Sequence, residues 1–325
     1  MIKKERTYPL SALVYEALLR RIPPNHDKRK IIASDLAKAQ AGYRGEQSLD
    51  YYFSFLPKDS YYIFHDLRLP CKDHYFKVDT LILSPSFILI LEVKNISGTL
   101  TFDSSFQQLI RSINKVEEAF PDPLTQVKHQ KFQLSQWLLK HRFTANIPIY
   151  TQVVISNPQA IIKAQASYTQ QITRSTNLIA RIDDIKKKYP NLVLSHQDLK
   201  KITRLLLKEH SSLHINALDR YQINESELIK GVHCPGCFHL PLSKSYGKWK
   251  CPHCRCDGKD ALKQSLFDYY LILRPTITNT QFREFMLIPS PSVACKLIKS
   301  FNLPFNGGTK SRKYHLSLSD FHTIK

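Results

Sequence analysis

The stretch from Val78 to Gly98, VDTLILSPSFILILEVKNISG, constrains this chain more than any other. An apolar run opening at Val78-Asp79 and reaching Leu83 is broken by Ser84-Pro85-Ser86, and a second run, Phe87 to Leu91, ends in Glu92-Val93-Lys94. Runs this short, rich in Ile, Leu, Val and Phe and divided by a proline-containing turn, are expected to form two antiparallel strands buried on both faces. Successive side chains of a strand point to opposite faces, so Glu92 and Lys94 share one face while Val93 enters the other. The hairpin brings Asp79, at the start of one strand, beside Glu92, at the end of its partner. Two carboxylates and an ammonium then meet at one sheet edge.

Such a trio has two uses. It can cap the hairpin as an ion pair, since charged residues at strand ends are ordinary. It can also hold a hard divalent cation, because Mg²⁺ takes one or two carboxylates plus phosphate oxygens and keeps several waters. A cation so held lowers the pKa of a water and neutralises charge on a phosphoryl oxygen, and a nearby lysine can orient that water.

Spacing leaves both open, and resemblance favours the second. Asp79, a dozen residues, then Glu92-Val93-Lys94 on a buried hairpin resembles the PD-(D/E)xK nuclease superfamily. Ala41-Gly42-Tyr43-Arg44-Gly45-Glu46, Lys77-Val78-Asp79, Leu91-Glu92-Val93-Lys94-Asn95 with Gly98, and Asp122-Pro123-Leu124-Thr125-Gln126 resemble the nuclease-related domain (NERD) family over roughly residues 37 to 155. The resemblance implies an α/β fold with a restriction-endonuclease-like mixed sheet flanked by helices. It implies hydrolysis of DNA phosphodiesters with Mg²⁺ or Mn²⁺ as cofactor, through Glu46, Asp79, Glu92 and Lys94. Asp79 and Glu92 would hold the cation, Glu46 would help directly or through water, and Lys94 would position the attacking water. Lys77 stands where the family often has glutamine.

Composition points the same way. Lys and Arg outnumber Asp and Glu by 47 to 27, a formal charge of +20 spread along the chain. The usual partner for such a balance is a polyanion, DNA first and RNA second. A membrane is disfavoured, because no run of 18 or more apolar residues occurs. The N-terminus is interrupted by Glu16 and Arg20-Arg21 too soon for a signal peptide, so a cytoplasmic protein with reduced cysteines is expected.

Along the chain, Leu10 to Leu18 falls at helical spacing and Pro23-Pro24 ends it. A second helical pattern runs from Asp27 to Leu56, with Gly42 and Gly45 inside it. These glycines fit either close backbone packing or a helix restarting near Gly45 with Glu46 in its first turn. Residues 61 to 69 read as a strand, 70 to 75 as a loop, and 98 to 102 as a shorter strand turning away. A helix follows from Pro123 to His141, its apolar face made by Leu124, Val127, Phe132, Leu134, Leu138 and Leu139, with Gln126 a candidate substrate contact near its N-terminus. Ile147 to Ser156 reads as a buried strand beside the hairpin. Helices are expected over 183 to 189 and 196 to 209.

Cys234-Pro235-Gly236-Cys237 and Cys251-Pro252-His253-Cys254 are separated by thirteen residues. Two such knuckles set four thiolates around Zn²⁺, a closed shell with structural use and no open position for catalysis. So short a segment depends on the metal to fold. Redox use of each Cys-x-x-Cys is the alternative. Cys71 and Cys295 are isolated and expected to be buried.

Beyond the knuckles, a helix over 261 to 273, a second capped by Thr276-Ile277-Thr278-Asn279 and running through Phe282 and Phe285 to Leu287, and a third over 293 to 301 precede Gly307-Gly308 and a basic strand at 310 to 316. This pattern resembles a winged-helix DNA-binding domain. Ser290, Ser292, Lys296 and Lys299 would then face the major groove, and Lys310, Arg312 and Lys313 would touch phosphates. A plain helical cap with a basic tail is the other reading. The expected domains are an N-terminal helical extension (1–36), the nuclease-like core (37–157), a helical basic segment (158–230), a zinc ribbon (231–258) and the winged-helix-like domain (259–325). The chain thus reads as a metal-dependent nuclease, or alternatively as a non-catalytic nucleic-acid-binding regulator that keeps a nuclease-like scaffold.

Overall fold

Strand β1 (Ile2–Lys4) and the helices α1 (Leu10–Arg21), α2 (Arg29–Gln47) and α3 (Leu49–Phe53) precede the hairpin around which the main sheet grows. The computed structural model describes residues 1–143, 146–213, 215–245, 248–256, 258, 260–309 and 311–321. Residues 1–9 and 39–213 form one unit, and residues 10–38 and 214–325 a second.

In the first unit, β2 (Tyr62–Cys71), β3 (His74–Leu83) and β4 (Ile88–Lys94) run antiparallel in sequence order. Ser84 closes the β3–β4 turn: its Oγ accepts the Phe87 N–H at 3.0 Å and its N–H donates to Phe87 O. A second sheet is inserted next, from β5 (Thr99–Asp103), β6 (Gln108–Ile113) and β7 (Val116–Pro121). Helix α4 (Pro123–Lys140) then crosses back to β8 (Ile149–Ile155), which pairs parallel with β4 from Ile88↔Ile149 to Lys94↔Ile155. β9 (Ile161–Lys163) joins the second sheet, and β10 (Ile172–Arg174) completes the first in the order β1-β2-β3-β4-β8-β10.

Helices cover both faces of the main sheet. α4 and α6 (His196–Glu209) bury Leu134, Trp137, Ile202 and Leu206 on one face, while α3 and α5 (Leu178–Lys188) bury Leu49, Phe53, Ile182 and Ile185 on the other. That double cover explains why β4 reads as an unbroken apolar run.

Several expected boundaries move. Residues 70 to 75, expected as a loop, are the end of β2, a two-residue turn and the start of β3, so Asp79 lies in the middle of a ten-residue strand rather than at its start. α4 turns Trp137 inward, and Phe132 and Leu139, expected in its apolar face, are exposed. Cys71 and Cys295 are only partly buried.

The second unit includes α7 (Ala217–Tyr221), a short hairpin of β11 (Ser243–Ser245) and β12 (Lys248–Lys250), α8 (Ala261–Ile272), β13 (Thr276–Thr278), α9 (Asn279–Met286), α10 (Pro291–Lys299), β14 (Phe305–Asn306) and β15 (Lys313–His315). α8, α9 and α10 accompany a three-stranded antiparallel sheet of order β13-β15-β14. α1 packs on α8 through a buried cluster: Arg21 Nε and Arg20 Nη2 donate to the two oxygens of Asp268 at 2.9 and 2.7 Å. Arg21 Nη1 also donates to Gly231 O at 2.6 Å, tying α1 to the chain just before the first cysteine knuckle. A buried carboxylate needs such partners, and here two guanidiniums supply them. Among the described residues no helix is long and apolar enough to cross a membrane.

Candidate active site and metal centre

The β3–β4 ladder stops at Thr80↔Leu91, one residue short of pairing Asp79 with Glu92. Asp79 replaces the missing backbone bond with its side chain, Oδ2 accepting the Val93 N–H at 3.0 Å. A break on the other side makes room for this. The β2–β3 pairing skips from His65↔Thr80 to Leu67↔Val78, and Asp66 takes a left-handed φ of 52°. Across that break the strands change face: Phe76 and Val78 share a core with Leu81 and Leu83, which uninterrupted alternation forbids. Asp66 and Asp79 therefore face each other outside the ladder, and Lys77 Nζ reaches them at 3.0 and 3.5 Å. Burial works against the charge on Lys77, but Asp79, Asp66 and Glu46 outweigh it and hold the ammonium well above its usual range.

Glu92 and Lys94 follow on one face of β4, beneath α4. Lys94 Nζ donates to Glu92 Oε1 at 2.6 Å and to Gln126 Oε1 at 3.1 Å, and Gln130 Nε2 donates to Glu92 Oε2 at 2.8 Å. The pairing follows from pitch: residues i and i+2 of a strand stand about 6.6 Å apart, and residues i and i+4 of a helix about 6 Å. Asp122 fixes the register of α4, accepting the Leu124 and Thr125 N–H groups as N-cap. Sequence reasoning reaches Gln126 but misses Gln130, whose signal is a glutamine at a buried position of an otherwise apolar stripe.

Of the two arrangements that the glycines allow, close packing is the one found at Gly45. α2 runs without interruption through Gly42 and Gly45 to Gln47, so Glu46 does not open a new helix. Close packing holds it there. A Cβ on Gly45 would overlap Asn95 Cβ and come within 2.8 Å of Ser156 Oγ, so only glycine lets α2 approach the ends of β4 and β8. Burial first, and then the neighbouring Asp79, push the Glu46 carboxyl up to about 8. Arg6 answers part of that charge, Nη1 lying 2.5 Å from Glu46 Oε2, and it also touches Asp50 at 3.2 Å. Glu92 is pushed upward by the same two causes, and Lys94 and Gln130 pull it partly back.

Asp79 thus carries the electrostatic load of both glutamates. Crowded negative charge is what a divalent cation relieves, and the donor set of three carboxylates is all oxygen, as Mg²⁺ or Mn²⁺ requires. The three carboxylates do not close to within 4.8 Å of one another, a spacing that only the four cysteines reach among the described residues. A pair of carboxylates with the third acting through water fits an ion that retains much of its hydration.

Cys234, Cys237, Cys251 and Cys254 gather with all sulfurs within 4.8 Å, the Cys234–Cys254 and Cys237–Cys251 pairs at 3.5 Å. Tetrahedral Zn²⁺ with bonds of about 2.3 Å sets its sulfurs roughly 3.8 Å apart, so the cage has the right size. The Gly236 and Cys254 N–H groups point at Cys234 Sγ and Cys251 Sγ at 3.4 Å, the orientation thiolates need. Cys256 lies outside the group.

Among the residues expected to contact DNA, Lys296, Lys299 and Lys313 are exposed, as is Ser292. Ser290 serves as N-cap, its Oγ accepting the Val293 N–H at 3.4 Å, and Arg312 lies over the Phe305 ring at 4.1 Å. Lys310 lies outside the described residues.

A mixed sheet covered on both faces, with acidic groups and a lysine crowded where two of its strands part, defines a nuclease-like α/β fold. Residues 41–156 match the family model of the nuclease-related domain, NERD. Comparison with curated proteins and with solved structures gives no match.

Proposed function

We propose that the chain is a metal-dependent deoxyribonuclease whose zinc ribbon and winged helix help to hold DNA. The observation that carries this reading is Lys94, held 2.6 Å from Glu92 beside Asp79 at the end of β4, inside the nuclease-related domain. Asp79 and Glu92 would hold Mg²⁺ or Mn²⁺, with Glu46 assisting through water. When bound, the cation supplies neutralisation of phosphoryl charge and a water of lowered pKa. Glu92 holds Lys94 in place, Gln126 and Gln130 fix both from above, and the Lys94 ammonium would orient the attacking water towards phosphorus. Zn²⁺ at the four cysteines would be structural.

A second reading has an observation of its own. Arg6 on Glu46 and Lys77 on Asp79 already balance two of the carboxylates from within the chain. A DNA-binding regulator on a nuclease scaffold would need nothing more. Incubation of the purified chain with plasmid DNA in Mg²⁺, Mn²⁺ or EDTA separates the two. Nicking or degradation only in the presence of the cation is expected, and retarded but intact DNA in every condition favours the regulator.

A further inference from the structure

We propose that the groove beside the end of β8 receives the bases of an unpaired DNA strand, with Tyr51 and Phe55 as its stacking platform. α2 and α3 are joined by a single helical residue, Ser48, so Arg44, Ser48, Tyr51 and Phe55 follow one another at helical spacing. All four are exposed, and two of them are aromatic, Tyr51 at 66% and Phe55 at 58% of full exposure. Aromatic rings of this size are ordinarily turned inward, and a cation ahead of two exposed rings repeats the pattern that single-strand binders use. The rings are held rather than loose: Tyr51 meets Tyr52 and Phe55 edge to face at 5.3 and 5.0 Å.

Tyr51 and Tyr52 also form one wall of a cavity of about 380 Å³, and Ser156, Asn157, Ser175 and Thr176 lie on the others. A cavity of that volume takes a nucleobase, and its hydroxyl and amide groups suit a base edge. The groove lies beside the ends of β4 and β8, on the α3 side of the main sheet. Ser156 N–H donates to Lys94 O at 3.0 Å, and Ile155 is the ladder partner of Lys94. A strand with a phosphodiester at Lys94 would pass over the ends of β4 and β8 to set a base in the groove. A paired base cannot turn into it without leaving its stack, so the groove selects strands that are already unpaired.

This inference rests on the nuclease reading for its substrate, and the test separates the two. Fluorescence anisotropy in EDTA measures binding of the full chain to an oligo(dT) strand and to a duplex of equal length, without cleavage. Tyr51→Ala with Phe55→Ala is expected to weaken single-strand binding about tenfold or more while duplex binding stays within about twofold. Tyr51→Phe, which keeps the ring, should bind the single strand nearly as wild type does when Phe55 is left in place. Both positions are exposed, so loss of fold is not expected, and circular dichroism checks it. In addition, an oligonucleotide bearing 5-iodouracil should photocrosslink to the peptide spanning residues 49–55. Unchanged single-strand binding, equal weakening of both substrates, preference for RNA over DNA, or crosslinks elsewhere would overturn the proposal. Wild-type protein that discriminates in EDTA yet cuts nothing with Mg²⁺ or Mn²⁺ would leave the groove standing and remove the nuclease.

Discussion

Gln130 donates to the inner oxygen of Glu92 at 2.8 Å, and this bond decides which way the glutamate faces. Glu92 is 3% exposed, and its other oxygen is taken by Lys94, so the pair is oriented from two sides. Gln130→Leu keeps the volume and removes the donor, leaving a buried carboxylate oxygen unpartnered. Cleavage should fall about tenfold to a hundredfold with DNA affinity unchanged, as expected for a residue that positions a ligand rather than touching substrate. Titration of Mn²⁺ into the variant should show a matching fall in cation affinity.

His65 adds to the acid sensitivity of the first unit. It is 1% exposed, hydrogen-bonded to Thr80 at 3.1 Å, and burial followed by the charges of Arg6 and Lys4 pull it down to about 3. The unfolded chain takes up this proton near pH 6.5 and the folded one does not, so the stability His65 contributes is present above 6.5 and lost as pH falls towards 3. Thermal unfolding between pH 7 and 4 should steepen by up to one proton, at most about 1.4 kcal/mol per pH unit, and His65→Asn should flatten the curve.

Zn²⁺ at the four cysteines is proposed to hold the segment around the two knuckles together. Chelation at neutral pH, or Cys251→Ser, should expose the hairpin between the knuckles to proteolysis near residues 243–250. The wild type should release about one Zn²⁺ per chain on thiol modification, and Cys256→Ser should release the same amount. Release of two ions, or none, would contradict the assigned cage.

Lys296 and Lys299 lie exposed on α10, and the duplex, rather than the reaction, is what they are proposed to serve. Replacing both with Ala should weaken duplex binding and lower the slope of log affinity against log salt by about 1 for each phosphate no longer neutralised. Cleavage of saturated DNA should be unchanged.

Much of this architecture is legible in the residues, because it rests on local pattern. The Ser84-Pro85-Ser86 turn, the run to Lys94, the α4 start at Asp122 and the cysteine spacing each carry their own signal. What escapes is long-range. Nothing near Asp66 announces a left-handed residue, yet that residue shifts the strand and frees Asp79. β6 and β7 are hidden because their exposed faces, with Glu117 and Glu118, carry no clean alternation. The glycines alone leave close packing and a helix restart both open, and only Asn95 and Ser156, distant in sequence, decide for packing at Gly45. Arg6 and Gln130 meet their carboxylates only after folding, from 40 and 38 residues away.

The most direct test of the central claim pairs cleavage with binding in one substitution. Lys94→Ala, assayed beside wild type on labelled DNA with Mg²⁺ or Mn²⁺, should lose cleavage while binding in EDTA stays within about twofold. Cleavage that survives the removal of this ammonium would contradict the account.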